Sequence, residues 1–149
     1  QHGTAFEHRG VKTGPAICYE GLYGDFFGDF VRRGAQFMAI ISNDGWWGDT
    51  PGYKHLFTIS RLRAIEHRRA IARSANTGMS GFISARGDIG ETLGWEKRGV
   101  ISAAVPLNSE LTFYTRYGDY LGRISEYLTL LCVLYYIAYR VKRKNYLVK

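Results

Sequence analysis

Cys18 is the side chain in this sequence that is best placed for covalent chemistry. It follows a short apolar strand, 11–17, and precedes Tyr19, Glu20 and a glycine. A thiolate at such a strand end is reachable by a substrate, and the next backbone N–H is available to a developing oxyanion. The alternative is a small buried hydrophobic residue, because free cysteines are among the most buried side chains. The local sequence favours this alternative. Whether Cys18 is reactive or only buried must therefore be judged from the rest of the chain.

A second group of candidate residues lies in the loop 43–53. Asn43 and Asp44 directly follow an apolar run, and Trp46 and Trp47 stand side by side among glycines. Adjacent tryptophans in such a loop either line an apolar binding site or fold over the protein's own core. The sequence leaves both interpretations open.

Charged residues interrupt the apolar face of a long predicted helix, 55–76. Arg63 and Arg69 lie three residues on either side of Glu66, within pairing reach on a helix. Buried charges must be paired or serve a function. We interpret Arg61, Arg63 and Glu66 as structural, in a buried ion-pair lattice that fixes the helix.

The apolar patterns predict the elements that hold these residues. In chain order we expect a strand over 11–17, a helix over 23–33, a strand over 37–42, the helix over 55–76, strands over 79–84 and 89–93 joined by a hairpin turn, and a further strand over 99–105. Gly34 is the expected stop of the first helix. The first ten residues give no clear pattern. Strands and helices in this order indicate an α/β layered domain.

The C-terminal part has the features of a membrane segment. After an extended connector, 107–118, the segment 119–139 has a charge-free apolar core over 127–139, with tyrosines near both ends. A basic tail, 140–149, follows at once. We favour a transmembrane helix over an amphipathic surface anchor, with the tail in the cytoplasm and the domain 1–118 outside.

Composition and charge exclude a disordered chain and disfavour a nucleic-acid partner. Of the 149 residues, 46% are hydrophobic and 15% aromatic, enough for one domain with a real core. The net charge is +7, but five positive charges without an acid lie from Arg140 onward, which leaves +2 for the rest. Such a local tail suits a membrane surface better than a DNA groove. Cys18 and Cys132 lie in different segments, so we expect no disulfide, and the histidines lack metal-ligand spacing.

Four ordered blocks carry a family resemblance. They are Ile17-Cys18-Tyr19-Glu20, the run Ile40 to Gly52, the run Arg61 to Glu66, and the run Ala72 to Gly78. Together with the apolar helix, they closely resemble the nitrilase (carbon–nitrogen hydrolase) superfamily, and within it the apolipoprotein N-acyltransferases of bacterial lipoprotein maturation. The resemblance implies the second half of a four-layer α-β-β-α sandwich, followed by one transmembrane helix.

The resemblance also implies roles for individual residues. Cys18 would be the nucleophile and Glu20 a functionally important acid, while Tyr19, Trp46 and Trp47 would contact substrate or the oxyanion. Structural support of the site would come from a further set: Asn43, Asp44, Arg63, Glu66 and Asn76. The reaction would move an acyl chain from a phospholipid, through a Cys thioester, to the α-amine of a lipoprotein's diacylglyceryl-cysteine. It needs no metal or organic cofactor, and the family's setting is the bacterial inner membrane.

The chain departs from the family pattern upstream of the nucleophile. The family's base Glu and oxyanion Lys lie well before the Cys, whereas only seventeen residues precede Cys18. Glu7 and Lys12 have the right types in the wrong contexts, so we assign neither. We therefore expect the chain to be the C-terminal fragment of a longer protein and to be inactive alone. Two alternatives stay open: a nitrilase-like amidase acting on a small amide, and a membrane-tethered interaction module without catalysis.

Overall fold

A computed structural model describes residues 3–147 of the chain, apart from the side chains of residues 141 and 144–147. The ends of the predicted domain 1–118 and of the predicted tail 140–149 lie partly outside this range. The chain divides into two units, Gln1–Gly118 and Asp119–Lys149, and each is described by itself.

The first unit alternates strands and helices, as the sequence predicts. The elements are β1 (Phe6–His8), β2 (Val11–Ile17), a 3-10 turn (Cys18–Leu22), α1 (Gly24–Arg32), β3 (Phe37–Ser42), a second 3-10 turn (Gly45–Trp47), α2 (Pro51–His67), β4 (Ile71–Ala75), β5 (Ser80–Ile83), β6 (Ile89–Leu93) and α3 (Phe113–Tyr117). Gly34 has a φ of +98° and ends the first helix segment, which confirms its predicted role as a stop.

The strands form one mixed sheet in the order β1-β2-β3-β4-β5-β6. The central strands β2, β3 and β4 are parallel, and the outer pairs are antiparallel. Pro15 lacks an N–H for a strand ladder, and it lies beyond Thr13, the last β2 residue that pairs with β1. This open side of β2 explains how a proline fits inside the sheet.

One face of the sheet is covered by α1 and α2, and the hydrophobic core lies between that face and the two helices. The apolar side chains that the strands and helices contribute to this core are fully or almost fully buried: Ala16, Phe27, Phe30, Val31, Met38, Ile40, Phe57, Ala64, Ile71 and Ile83. Each large side chain of this kind stabilises the fold by about 1.5–3 kcal/mol. The prediction of one apolar face on α1 is confirmed, since Phe27, Phe30 and Val31 are buried together.

The second face of the sheet is only partly covered. Ile17 and Ile41, neighbours in the β2–β3 ladder, are more than half exposed. Farther along the sheet, residues 99–106 contribute to two cavities of about 380 and 230 Å³, both of which Phe82 also lines. A sheet with one face packed on helices and the other partly open matches one half of an α-β-β-α sandwich.

Three sequence predictions of elements are wrong. The helix predicted over 55–76 begins earlier and ends at His67, and residues 71–75 form β4. The segment 99–105 is not a strand, because it crosses the second face of the sheet and does not extend its edge. The connector 107–118 contains α3, which begins after Thr112, whose Oγ1 accepts from Thr115 N at 3.0 Å.

The second unit is a single helix, α4, over Tyr120–Leu147. Its stretch Tyr120–Arg140 has a mean hydropathy of 1.3, and none of its most apolar window is buried. Twenty-one residues at about 1.5 Å each span roughly 30 Å, the thickness of a bilayer core. By length and composition, this helix is able to cross a membrane.

Candidate active site

The parallel strands bring the predicted site residues to one edge of the sheet. β2, β3 and β4 all point the same way, so their carboxyl ends meet there. The register pairs Ile17 with Ile41 and Ser42 with Ala75. Cys18 directly follows Ile17 and Ser42 directly follows Ile41, so both residues lie at this edge. Chemistry-bearing residues at this edge belong to three different connections, which is how α/β folds build sites.

Cys18 has an unusual backbone conformation. Its φ is +52°, in the left-handed region, and its side chain is half-buried. This conformation costs a residue with a Cβ about 1–2 kcal/mol. The Glu20 carboxylate secures the turn, because its Oε2 accepts from Ile17 N at 2.8 Å. The first turn of the 3-10 segment also presents backbone N–H groups, among them that of Tyr19.

Aromatic and aliphatic side chains surround this edge in exposed positions. Trp46 is 82% exposed and Trp47 42% exposed. Trp47 is held in place: its carbonyl accepts from Thr50 Oγ1 at 2.7 Å, and its ring lies against Gly52, where an added Cβ would be 2.5 Å from Cε3. Trp46 covers no core. Tyr19 is also about half exposed.

The polar residues that follow β3 and β4 are held in place at this edge by hydrogen bonds. Asp44 is fully buried, and both its carboxylate oxygens accept from Arg73 Nη2 at 2.9 Å. Asn43 Oδ1 accepts from Gly45 N at 3.1 Å, which turns the chain into the tryptophan pair. Asn76 N donates to Ser42 O at 3.2 Å, so the loop after β4 is tied to the end of β3.

Arg63 and Glu66 lie on α2 and pair with each other, 3.2 Å apart. An added Cβ on Gly24, at the start of α1, would meet the Arg63 guanidinium. Burial raises the pKa of the Glu66 carboxyl, and the charge of Arg63 opposes that shift. These contacts are structural, as the sequence interpretation expects for this pair.

Two other arginines bind backbone carbonyls: Arg61, which the sequence predicts to belong to the ion-pair lattice, and Arg69, which a continuous helix would place within reach of Glu66. Arg61 Nε donates to Gly87 O at 2.8 Å, in the hairpin turn. Arg69 is fully buried and donates to Ala35 O at 2.7 Å and Glu110 O at 2.9 Å. The cause is the end of α2 at His67, which turns Arg69 away from Glu66.

His67 is a buried residue whose role the sequence does not reveal. It is 1% exposed, its Nε2 donates to Gly24 O at 3.1 Å, and its Nδ1 lies 2.9 Å from Thr115 Oγ1. Burial, with the nearby charge of Arg63, lowers the pKa of His67 to about 4. The ring is therefore neutral at pH 7 and joins α1, α2 and α3.

Glu7 and Lys12 lie apart from Cys18. They face each other in the β1–β2 ladder, with Oε2 and Nζ 3.6 Å apart. Six residues of extended strand separate Lys12 from Cys18, about 20 Å. Neither residue supplies a base or an oxyanion donor at the thiol. Within residues 3–147, no group of three or more His, Cys, Asp or Glu side chains is arranged to hold a metal ion.

Comparisons with known proteins agree on the family. A family model described as carbon-nitrogen hydrolase matches residues 2–111. An apolipoprotein N-acyltransferase of Chlorobaculum tepidum is 42% identical over 118 residues, which cover 79% of this chain and 22% of the relative. That of Rhizobium meliloti is 41% identical over 97 residues, 65% of this chain and 18% of the relative. The chain thus spans about a fifth of the length of these relatives.

Solved structures show the same fold at low sequence identity. The Nit3 protein of Saccharomyces cerevisiae, a member of branch 10 of the nitrilase superfamily, matches with a TM-score of 0.55 at 20% identity, over 66% of this chain and 39% of that chain. A mutant amidase of Nesterenkonia sp. AN1, with acrylamide added at its active site cysteine, matches with a TM-score of 0.53 at 16% identity, over 84% and 49%. These matches confirm the predicted half-sandwich.

Proposed function

The chain belongs to the carbon–nitrogen hydrolase family, and from this we propose that it is the nucleophile-bearing part of an apolipoprotein N-acyltransferase. Its donor would be a phospholipid, and its acceptor the N-terminal amine of a lipoprotein's diacylglyceryl-cysteine. The identity to named acyltransferases over four-fifths of the chain supports the acyl-transfer class.

The observation that carries the proposal is the conformation of Cys18. Cys18 is held at φ +52° as the first residue of a 3-10 turn, with its side chain half-buried at the carboxyl edge of the sheet. Strained backbone conformations of this kind cluster at functional sites. The structural alternative, a cysteine that only fills the core, does not require this conformation.

The proposed chemistry has two steps. In the first, the Cys18 thiolate attacks the ester carbonyl carbon of the phospholipid, a C–S bond forms, and the C–O bond breaks as the lysophospholipid oxygen takes a proton. In the second, the acceptor amine attacks the thioester, a C–N bond forms, and the C–S bond breaks to restore the thiolate as the nitrogen loses a proton. The Tyr19 N–H would stabilise the oxyanion in both steps.

The surroundings of Cys18 suit a lipid substrate. Tyr19 and Trp46 expose apolar surface at the same edge, which an acyl chain would cover. Glu20 would keep the turn in shape through its bond to Ile17 N. An amidase for small soluble amides has no need of such a surface.

The helix α4 would anchor the protein in the bacterial inner membrane. With the basic residues that begin at Arg140 on the cytoplasmic side, the unit that holds Cys18 would lie in the periplasm. The base Glu and the oxyanion Lys would come from a preceding part of a longer protein, because Glu7 and Lys12 pair with each other far from the thiol. The 149-residue chain would then be inactive alone.

The reaction is testable with defined substrates. The complete protein is incubated with phospholipid and a synthetic diacylglyceryl-cysteine peptide, and N-acylated peptide is measured by mass spectrometry. Cys18→Ala should abolish the product. Cys132→Ala is the matched control, because Cys132 is a free cysteine on α4, and it should leave the product unchanged.

Either of two results would reject the proposed function. One is N-acylated peptide formed equally well by Cys18→Ala. The other is release of ammonia from small amides, dependent on Cys18, with no acylated peptide, which would select the amidase.

A further inference from the structure

A buried ion pair lies at the carboxyl edge beside the candidate nucleophile. Asp44 is 0% exposed and Arg73 6% exposed. Besides its two bonds from Arg73, the Asp44 carboxylate accepts from Ser42 Oγ at 2.5 Å. Ser42 directly follows Ile41, whose ladder partner Ile17 directly precedes Cys18. The ion pair and Cys18 therefore lie at the same edge of the sheet.

Arg73 connects several segments through different nitrogens. Its Nη1 donates to Ser60 Oγ on α2 at 3.3 Å, and its Nε donates to Met79 O, just before β5, at 3.3 Å. Its Nη2 binds Asp44. One guanidinium on β4 therefore fixes the loop after β3 against α2 and the start of β5. A lysine has one charged nitrogen and cannot replace all three contacts.

The loop 76–79 packs directly on the carboxylate. An added Cβ on Gly78 would collide with the Asp44 side chain, so no other residue type fits there without movement. An added Cβ on Gly45 would lie 3.3 Å from Thr77 Oγ1. The loops after β3 and β4 are therefore in close contact around Asp44.

A gain in folding free energy does not by itself explain why a buried ion pair such as Asp44–Arg73 is present. Desolvation of two buried charges roughly cancels their attraction, and well-packed apolar substitutes are often neutral or stabilising. Removal of a single partner is strongly destabilising, because it leaves a buried charge without its partner. What the pair provides in addition is a fixed geometry of two loops.

We propose that Arg73 is a positioning residue that, through Asp44, holds the loop 43–50 in the place that acyl transfer at Cys18 requires. The inference rests on the proposed function. The loop carries Trp46 and Trp47, so its displacement would misplace the surface that receives the acyl chain. Displacements of about 1 Å in such positioning elements cost up to about 100-fold in rate.

The test is the double variant Asp44→Leu with Arg73→Met in the complete protein. Burial of the apolar pair should keep the melting temperature near that of the wild type. The rate of acyl-adduct formation at Cys18 per folded molecule should fall about 10-fold to 100-fold. Alkylation of Cys18 by iodoacetamide, which needs no aromatic loop, should change by less than about 3-fold. Arg73→Lys takes the place of the double variant if that protein does not fold, and it should lose adduct formation in part.

Arg69→Met is the matched control. Arg69 is also a fully buried arginine, but it lies before β4, at the opposite end of that strand from the edge. It should lower the melting temperature and leave the adduct rate per folded molecule unchanged. If Asp44→Leu with Arg73→Met lowers the rate only in proportion to the folded fraction, Arg73 has a merely structural role and the inference is wrong.

Amide hydrogen exchange separates this inference from the proposed function. In the double variant, exchange in 43–50 and 76–79 should become faster while α1 stays protected. If the wild type forms no adduct, the proposed function fails, and this comparison still decides whether the pair holds the loops. Unchanged exchange in both loops would overturn the inference.

Discussion

At Cys18 the chain leaves an extended strand and turns into the left-handed region, with a φ of +52°. The turn holds because the Glu20 carboxylate binds Ile17 N, and because the strand before it is fixed by pairing with β3. The sequence indicates that Cys18 lies at a strand end. It does not indicate the backbone strain, since Cys is not a residue that favours positive φ.

The exposed tryptophans permit a test of the acyl-site interpretation. In the complete protein, Trp46→Ala with Trp47→Ala should reduce acyl transfer at least about 10-fold, because the proposed acyl-contacting surface is removed. The melting temperature should fall far less than the activity, since Trp46 is 82% exposed and Trp47 is 42% exposed.

Trp95→Ala is the matched control for this pair. Trp95 packs against Tyr53 with ring centroids 4.9 Å apart, so its loss should lower the melting temperature and leave acyl transfer unchanged. Parallel losses of activity and stability in the Trp46 and Trp47 variant would show that these rings serve the fold alone.

His67 makes the stability of the first unit dependent on pH. Its pKa is lowered to about 4 in the folded state, against about 6.5 when unfolded. The unfolded chain therefore binds more protons between these values, and stability falls as the pH falls through this window. The loss should be of order 2–3 kcal/mol by about pH 4. Glu66, whose pKa is raised by burial, opposes the effect.

The pH effect is measured as a difference between two proteins. Thermal unfolding of wild type and His67→Gln is followed at about pH 7.5 and about pH 5. The wild type should lose more stability on acidification, because the variant has no imidazole to protonate, while Glu66 is present in both. Equal losses would mean that His67 is not buried as a neutral ring.

At the scale of elements, the strongly periodic segments were predictable and the boundary between α2 and β4 was not. The apolar runs of β3 and the one-sided pattern of α1 specify their elements by sequence. No glycine or proline marks the end of α2, because Arg68 takes the left-handed C-cap at φ 51°. The strand β4 contains Arg73 and small residues, and only pairing with β3 makes it a strand. Because the sequence predicts residues 71–75 as helix and not as strand, it also gives no indication that Arg73 pairs with Asp44.

Arg68→Gly should stabilise the fold. Glycine adopts the left-handed conformation without the cost that a Cβ imposes, and the gain should be about 0.5–1 kcal/mol. Because the Arg68 side chain is exposed, its removal should cost little stability. The thermal midpoint of the full chain in detergent measures the effect.

Arg86→Gly is the matched control, an exposed arginine in the hairpin turn that is not among the positive-φ residues. It should leave the midpoint unchanged or lower it. An equal rise in both variants, or a fall in Arg68→Gly, would contradict the helix-end geometry.

At the scale of the whole molecule, the chain combines a half-sandwich with a separate apolar helix. The order of strands and helices predicts an α/β layered domain, and the family resemblance implies the half-sandwich. The charge-free apolar run and the basic residues after it predict the helix. The sequence does not predict how much of the second face of the sheet stays uncovered, because that depends on how residues 99–106 cross it. The exposed Ile17 and Ile41 on this face fit a partner sheet in the complete sandwich.

The helix α4 should insert into membranes as an integral span. Fused to a soluble reporter, the segment Tyr120–Arg140 should stay in the membrane fraction through high salt and alkaline carbonate. It is long enough to cross a bilayer, its core over 127–139 is free of charge, and Arg123 and Glu126 lie near its start, where their side chains can reach the interface. A matched fusion in which Leu130 and Leu134 are changed to Lys should be soluble. Release of the unaltered segment by high salt alone would show that the helix is a peripheral anchor.

The central claim is that Cys18 carries the acyl chain. The most direct measurement is the intact mass of the complete protein after incubation with phospholipid, before and after neutral hydroxylamine, which cleaves thioesters. We predict one hydroxylamine-sensitive acyl adduct on the wild type and on Cys132→Ala, and none on Cys18→Ala or on the 149-residue chain alone. An adduct that persists in Cys18→Ala would contradict the account.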